Sequence, residues 1–121
     1  MEKHELGKAA ENQALIYLKN KGYHILRQNF RYLKAEVDII AQIQQTLVIV
    51  EVKARSNIAF GDSESFVNKK KISLLVMGAD YFVQEQQLDV NVRFDIIALI
   101  PKSGKWQVNH IKDAFYPFDG C

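Results

Sequence analysis

The chain contains a single cysteine, and it is residue 121. No intrachain disulfide can therefore form, and a Cys-x-x-Cys zinc site is excluded, which sets the cytoplasm as the expected compartment. Two prolines and six glycines exclude collagen-like or proline-rich low-complexity chains. No apolar run approaches the ~18–20 residues of a membrane span, and Met1 to Glu5 lead into no apolar signal core, so neither membrane association nor secretion is expected. No glycine-rich phosphate loop is present. His4, His24 and His110 are scattered without metal-ligand spacing and read as surface or edge residues. An excess of one charge is missing too: 16 Lys and Arg face 14 Asp and Glu, a net +2 that by itself argues for no polyanionic partner.

What is there is an ordinary globular composition, 48% hydrophobic and 25% charged over 121 residues. That length predicts one domain spanning residues 1–121 with a sizeable core. Leu6, Ala10, Ala14, Tyr17 and Leu18 form one stripe at helical spacing. The stripe predicts a helix over Glu5–Lys21, closed by Gly22 in a left-handed cap. His24–Tyr32 alternates Leu26, Phe30 and Tyr32 against Arg27, Asn29 and Arg31, a strand pattern. Glu36–Ile43 and Thr46–Arg55 are Val- and Ile-rich runs separated only by Gln44-Gln45, which predicts a hairpin. A polar loop over Ser56–Ser65 precedes a second helix over Phe66–Gln86, with Asp62 or Ser63 as its cap. Strands over Val90–Ile100 and Trp106–Ile111 flank a turn at Pro101–Gly104. The order α-β-β-β-α-β-β predicts an α/β fold, a mixed central β-sheet flanked by helices. Phe94 is expected in the core, with Arg93 and Asp95 on the opposite face. The aromatic stretch Phe115, Tyr116 and Phe118 packs either on the body or on a second subunit of a homodimer.

The chemistry concentrates in the hairpin. Strand faces alternate with period two, so Glu51 and Lys53 continue the face of Leu47 and Ile49, and Glu36 shares a face with Asp38. A two- or four-residue turn pairs positions that sum to 89, which opposes Asp38 to Glu51 and Glu36 to Lys53. Opposed residues have Cβ atoms roughly 4.5–5.5 Å apart. Two carboxylates at that distance within apolar strands repel, and a divalent cation removes the conflict. Mg²⁺, or Mn²⁺, takes one or two carboxylates and completes its shell with water and substrate phosphate. Asp38 and Glu51 are the candidate metal ligands, with the Val52 carbonyl as a further oxygen. Lys53 is the candidate for orienting or deprotonating the attacking water. A solvated face carrying the same residues is the bland alternative, which the preceding run Leu47-Val48-Ile49-Val50 disfavours.

Asp38 followed after a hairpin by Glu51-Val52-Lys53 resembles the PD-(D/E)xK signature of restriction-endonuclease-like nucleases. The wider pattern resembles the YraN family of bacterial proteins, related to archaeal Holliday-junction resolvases. It runs through Gly7 to Leu18, Gly22-Tyr23, Ile25-Leu26, Asn29-Phe30-Arg31, Glu36 to Ala41, Val50 to Arg55, the Lys69-Lys70-Lys71 cluster and Arg93-Phe94-Asp95. Two positions depart from it, Ala35 and Ala10 standing where the family has glycine. The resemblance implies a restriction-endonuclease-like sheet flanked by helices, a DNA substrate and a catalytic role for Glu11, which lies beside the apolar stripe of the first helix.

Glu36 is a weaker candidate, either pairing with Lys53 or holding a second ion. Were Glu11, Glu36, Asp38 and Glu51 neutralised by metal, the remainder would rise from +2 to +6, one unit per carboxylate, a surface better suited to a polyanion. Arg55, Lys69, Lys70 and Lys71 are the expected phosphate contacts, though three consecutive helical lysines cannot share one face. The functional expectation is a metal-dependent nuclease acting on DNA, branched or structured forms included. The rivals are a non-catalytic nucleic-acid-binding module on the same fold and a protein-interaction domain.

Overall fold

Alternating Val, Ile and Leu drive the middle of the chain into strands, and the two helical stripes supply the faces that cover them. A computed structural model describes residues 3–55 and 67–121. The elements are α1 (Lys3–Asn20), β1 (His24–Tyr32), β2 (Ala35–Ile43), β3 (Thr46–Ala54), α2 (Lys69–Glu85), β4 (Asn91–Lys102), β5 (Lys105–Ile111) and a 3₁₀ turn at Pro117–Gly120. The five strands lie in the order β1-β2-β3-β4-β5. β3 and β4 run parallel and every other pair is antiparallel, so the sheet is mixed as expected. No described helix is long and apolar enough to cross a membrane.

The helices cover opposite faces. α1 buries Ala10, Ala14, Leu15 and Leu18 against Ile39, Ala41, Val48, Val50, Ile97 and Leu99. α2 buries Ile72, Leu75, Ala79 and Phe82 against Val37, Ile40, Leu47, Ile49, Phe94, Ile96 and Ala98. Gly22 ends α1 with φ +91°, and Tyr23 N–H reaches back to the Leu18 carbonyl at 3.0 Å, a Schellman closure. The Ala35 departure is absorbed by α2: Ala35 is fully buried, and a Cβ built on Gly78 would stand 3.3 Å from the Ala35 Cβ. Glycine on the helix compensates for the extra methyl on the strand.

The structure sharpens three expectations. α2 begins at Lys69 rather than Phe66, and its cap is Asn68, whose Oδ1 accepts from Lys71 N–H at 2.8 Å. Asp62, Ser63 and the loop over Ser56–Ser65 lie outside the described residues. Phe115 packs on the body, stacked 5.2 Å from Phe94, while Tyr116 and Phe118 stay exposed. His110 lies on the edge strand β5, but its side chain is only 6% exposed, so it is an edge residue and not a surface one.

Candidate metal and nucleic-acid site

The β2–β3 hairpin turns at Gln44-Gln45, with Gln44 at φ +53°, and pairs Ile43 with Thr46 as the alternation requires. The ladder continues to Ile39↔Val50 and stops one pair short of Asp38 and Glu51. The β1–β2 ladder has a gap at the same place, between Gln28↔Ile39 and Phe30↔Val37, where Asn29 adopts φ +51°. Strict alternation would put Val37 with Ile39, yet Val37 packs beneath α2 and Ile39 beneath α1. Asp38 takes up this phase shift. The β1–β2 register runs past it unshifted, the register shift lying instead between Ile25 and Arg27.

Asp38 is not simply opposite Glu51 in a regular ladder. Its Oδ2 accepts the Val52 N–H at 2.7 Å, a backbone donor the interrupted ladder leaves available. Val52 thus meets Asp38 through its N–H. Burial, the Glu51 charge and a hydrogen bond to Glu51, with a smaller contribution from Glu11, push the Asp38 carboxyl up to about 7 against the Val52 bond. Asp38 thus lies close to Glu51, with Glu11 in electrostatic reach.

Glu51 is 3% exposed. Its Oε2 lies 3.2 Å from Lys53 Nζ and 3.5 Å from Lys71 Nζ, whereas its Oε1 is buried with no hydrogen-bond partner. An unpartnered buried carboxylate oxygen is costly, and such atoms are rare in folded proteins. In front of Asp38 opens a cavity of about 430 Å³ whose walls include Gly7, Lys8, Glu11, Asn29, Asp38 and Val52. Glu11 thus reaches the same space from α1, half-buried at the helix flank.

The donor set suits a hard divalent cation. Two adjoining carboxylates leave Glu51 Oε1 without a partner, and Mg²⁺ needs only one or two carboxylates besides water. Among the described residues no three His, Cys, Asp or Glu side chains converge into a ready-made cage. The residues therefore fit an ion that keeps much of its water rather than one bound by protein alone.

The structure brings Asp38, Glu51, Val52 and Lys53 together, and Glu11 lines the cavity in front of Asp38. Lys71 joins them from α2, so one member of the lysine cluster faces the carboxylates while Lys69 and Lys70 are exposed. Arg55 is half-buried just beyond β3, where its N–H pairs with the Leu99 carbonyl at 2.9 Å. Glu36 is not drawn in: it pairs with Arg31 at 3.1 Å on the solvated edge, and not with Lys53. Sequence reasoning missed Lys71 as a contact of Glu51, because helix phase relative to the sheet is set only by packing.

The chain is 50% identical over 117 residues to a UPF0102 protein of Christiangramia forsetii, covering 97% of this chain and 98% of that one. A UPF0102 protein of Bacteroides thetaiotaomicron is 48% identical over 116 residues, covering 96% of each. Among solved structures, the 1.6 Å structure of Hjc, a Holliday junction resolvase from Archaeoglobus fulgidus, an archaeal hyperthermophile, superposes with a TM-score of 0.54. At 17% identity over 93% of each chain, that likeness concerns the fold. Residues 10–99 match the profile described as uncharacterised protein family UPF0102.

Proposed function

From the chain's membership of the UPF0102 family and its resolvase-like, nuclease-like fold, we propose that the protein is a metal-dependent nuclease that hydrolyses phosphodiester bonds in DNA, branched DNA included. The observation that carries the reading is the buried, unpartnered Glu51 Oε1 beside Asp38, whose carboxyl burial and the Glu51 charge push up to about 7. Asp38 and Glu51 hold Mg²⁺ or Mn²⁺, which when bound supplies charge neutralisation and activation of water.

The remaining work belongs to the chain. Lys53, held 3.2 Å from Glu51, orients the attacking water or takes its proton. Lys71 offsets negative charge at the same carboxylate. Glu11 adds a third carboxylate at the cavity wall. Lys69, Lys70 and Arg55 bind flanking phosphates. The fold of the resolvase supports a DNA ligand, and the small net charge is compatible with one once the carboxylates are neutralised.

The test is a panel of labelled duplex, branched and single-stranded DNA and RNA incubated with Mg²⁺ or Mn²⁺. Native protein should cut at least one DNA substrate. Asp38→Ala should lose metal binding and cleavage together. Lys53→Ala should keep calorimetric Mn²⁺ binding while cleaving ~10²–10⁴-fold more slowly. Absence of cleavage by native protein with either metal, alongside retained binding, would turn the reading to the non-catalytic nucleic-acid-binding module.

A further inference from the structure

Beneath the C-terminal half of α1, away from the hairpin carboxylates, lies a second polar assembly. Asp95 is fully buried on β4. Arg93 grips it with two bonds, Nε to Oδ1 at 2.9 Å and Nη2 to Oδ2 at 2.8 Å. His110 Nε2 reaches Asp95 Oδ2 at 2.7 Å, and Tyr17 OH stands 3.0 Å from His110 Nδ1. Arg93 Nη2 also donates to Tyr23 OH at 2.8 Å. Arg93 thereby cancels the Asp95 charge, and the chain of bonds ends at two tyrosine hydroxyls.

The ends of this chain open into a cavity of about 170 Å³, walled by Tyr17, Lys21, Tyr23, Ile43, His110 and Lys112. That is room for several waters at ~30 Å³ each. No carboxylate lines it. Tyr23 is 6% exposed, and its oxygen is already used as an acceptor from Arg93. Its O–H proton has no acceptor among the described residues, so a buried donor is left over. Lys21 leans over the Tyr17 ring at 5.8 Å. Among the described residues neither Lys21 nor Lys112 enters an ion pair.

Two unpaired ammonium groups and a buried hydroxyl donor around a pocket without carboxylates make a site for a compact anion with several acceptor oxygens. We infer that this cavity binds a phosphate group through Lys21, Lys112 and the Tyr23 hydroxyl, with His110 and Arg93 holding the tyrosines in place. A free phosphate and a nucleic-acid backbone phosphate present the same oxygens, and the experiment separates them. The inference stands apart from the nuclease reading, because Asp38→Ala should bind phosphate here as the native chain does.

The test titrates the full chain, without metal, with inorganic phosphate and separately with a short DNA duplex, following amide signals by NMR. Phosphate should shift the signals of residues 21–23 and 110–112. The double substitution Lys21→Ala with Lys112→Ala, both at exposed positions, should weaken phosphate binding about tenfold or more. Tyr23→Phe should weaken it several-fold, and Lys34→Ala, at an exposed lysine elsewhere, should not. A duplex salt slope that falls in the double variant, by ~0.9 for each phosphate no longer neutralised, assigns a backbone phosphate. An unchanged slope together with abolished phosphate binding assigns a free phosphate. The inference is overturned if phosphate shifts none of these signals, or if the double variant binds it as tightly as the native chain.

Discussion

At the scale of single residues, the Asp38 carboxyl is the most revealing group. Burial and the Glu51 charge raise it to about 7 in the folded chain, against 3.8 ordinarily. Between those values the unfolded chain binds fewer protons than the folded one. The stability Asp38 contributes is therefore complete below about pH 4 and is lost as pH rises through 7. Asp38→Asn keeps an acceptor for Val52 N–H and removes the repulsion. In urea denaturation it should be more stable than native protein at pH 8, by on the order of a few kcal/mol, with the gap closing by pH 4. Mn²⁺ should restore the native stability at pH 8 and do nothing for the variant. Parallel pH curves for the two proteins would show that Asp38 and Glu51 do not confront each other.

At the scale of elements, the first turn of α2 sets folding against binding. Lys69, Lys70 and Lys71 occupy the positive end of the helix dipole with no acidic residue in that turn. Each exposed cation there costs about 0.3–1 kcal/mol, and among the described residues the Asn68 cap and the Lys71–Glu51 pair offset it. Removing Lys69 and Lys70 together should therefore raise the thermal midpoint while weakening DNA binding. The log–log salt slope should drop by up to ~0.9 for each phosphate that these lysines neutralise in the native complex. A stabilised variant with an unaltered slope would make both lysines plain solvated surface. β2 shows the same tension, since the β1–β2 ladder skips Asp38 and the β2–β3 ladder ends just before it, at the residue that carries a candidate ligand.

At the scale of the whole molecule, the Asp95 assembly ties together parts distant in sequence. Tyr17 on α1, Tyr23 after it, Arg93 on β4 and His110 on β5 all connect to one buried carboxylate directly or through one neighbour. Burial alone would raise the Asp95 pKa, but bonds from His110 and Arg93, the Arg93 charge and the Asp113 N–H outweigh it and hold it below its ordinary value. Asp95 thus contributes stability that is present above about pH 4 and lost as pH falls through its depressed folded value. Asp95→Asn leaves the half-buried Arg93 without a counter-charge and should cost up to about 3 kcal/mol in urea denaturation at pH 7. Below pH 4 the native chain should lose stability more steeply than the variant. Equal stability at pH 7 would mean that the assembly contributes nothing to cohesion of the fold.

Periodicity alone specified the element order, the hairpin turn and the β1 span of His24–Tyr32, because apolar spacing of 2 and 3.6 is a local property that burial then enforces. It also put Phe94 on one face and Arg93 with Asp95 on the other. The spacing Asp38…Glu51-Val52-Lys53 marked the hairpin as the chemical region for a similar reason, since turn length sets register. What the spacing could not contain was the break in alternation at Asp38, which lies where β1 carries Asn29 at positive φ. It could not show that Lys71 rather than Lys69 or Lys70 meets Glu51, or that Arg31 claims Glu36, because these contacts join elements whose relative placement follows from packing. His110 does lie on the edge strand β5, but alternation there between half-buried and exposed positions carries no sign that its side chain is enclosed. Only the tertiary fold, by laying α1 over β4 and β5, enclosed it with Asp95 and made a buried charge network from residues that lie up to 93 positions apart.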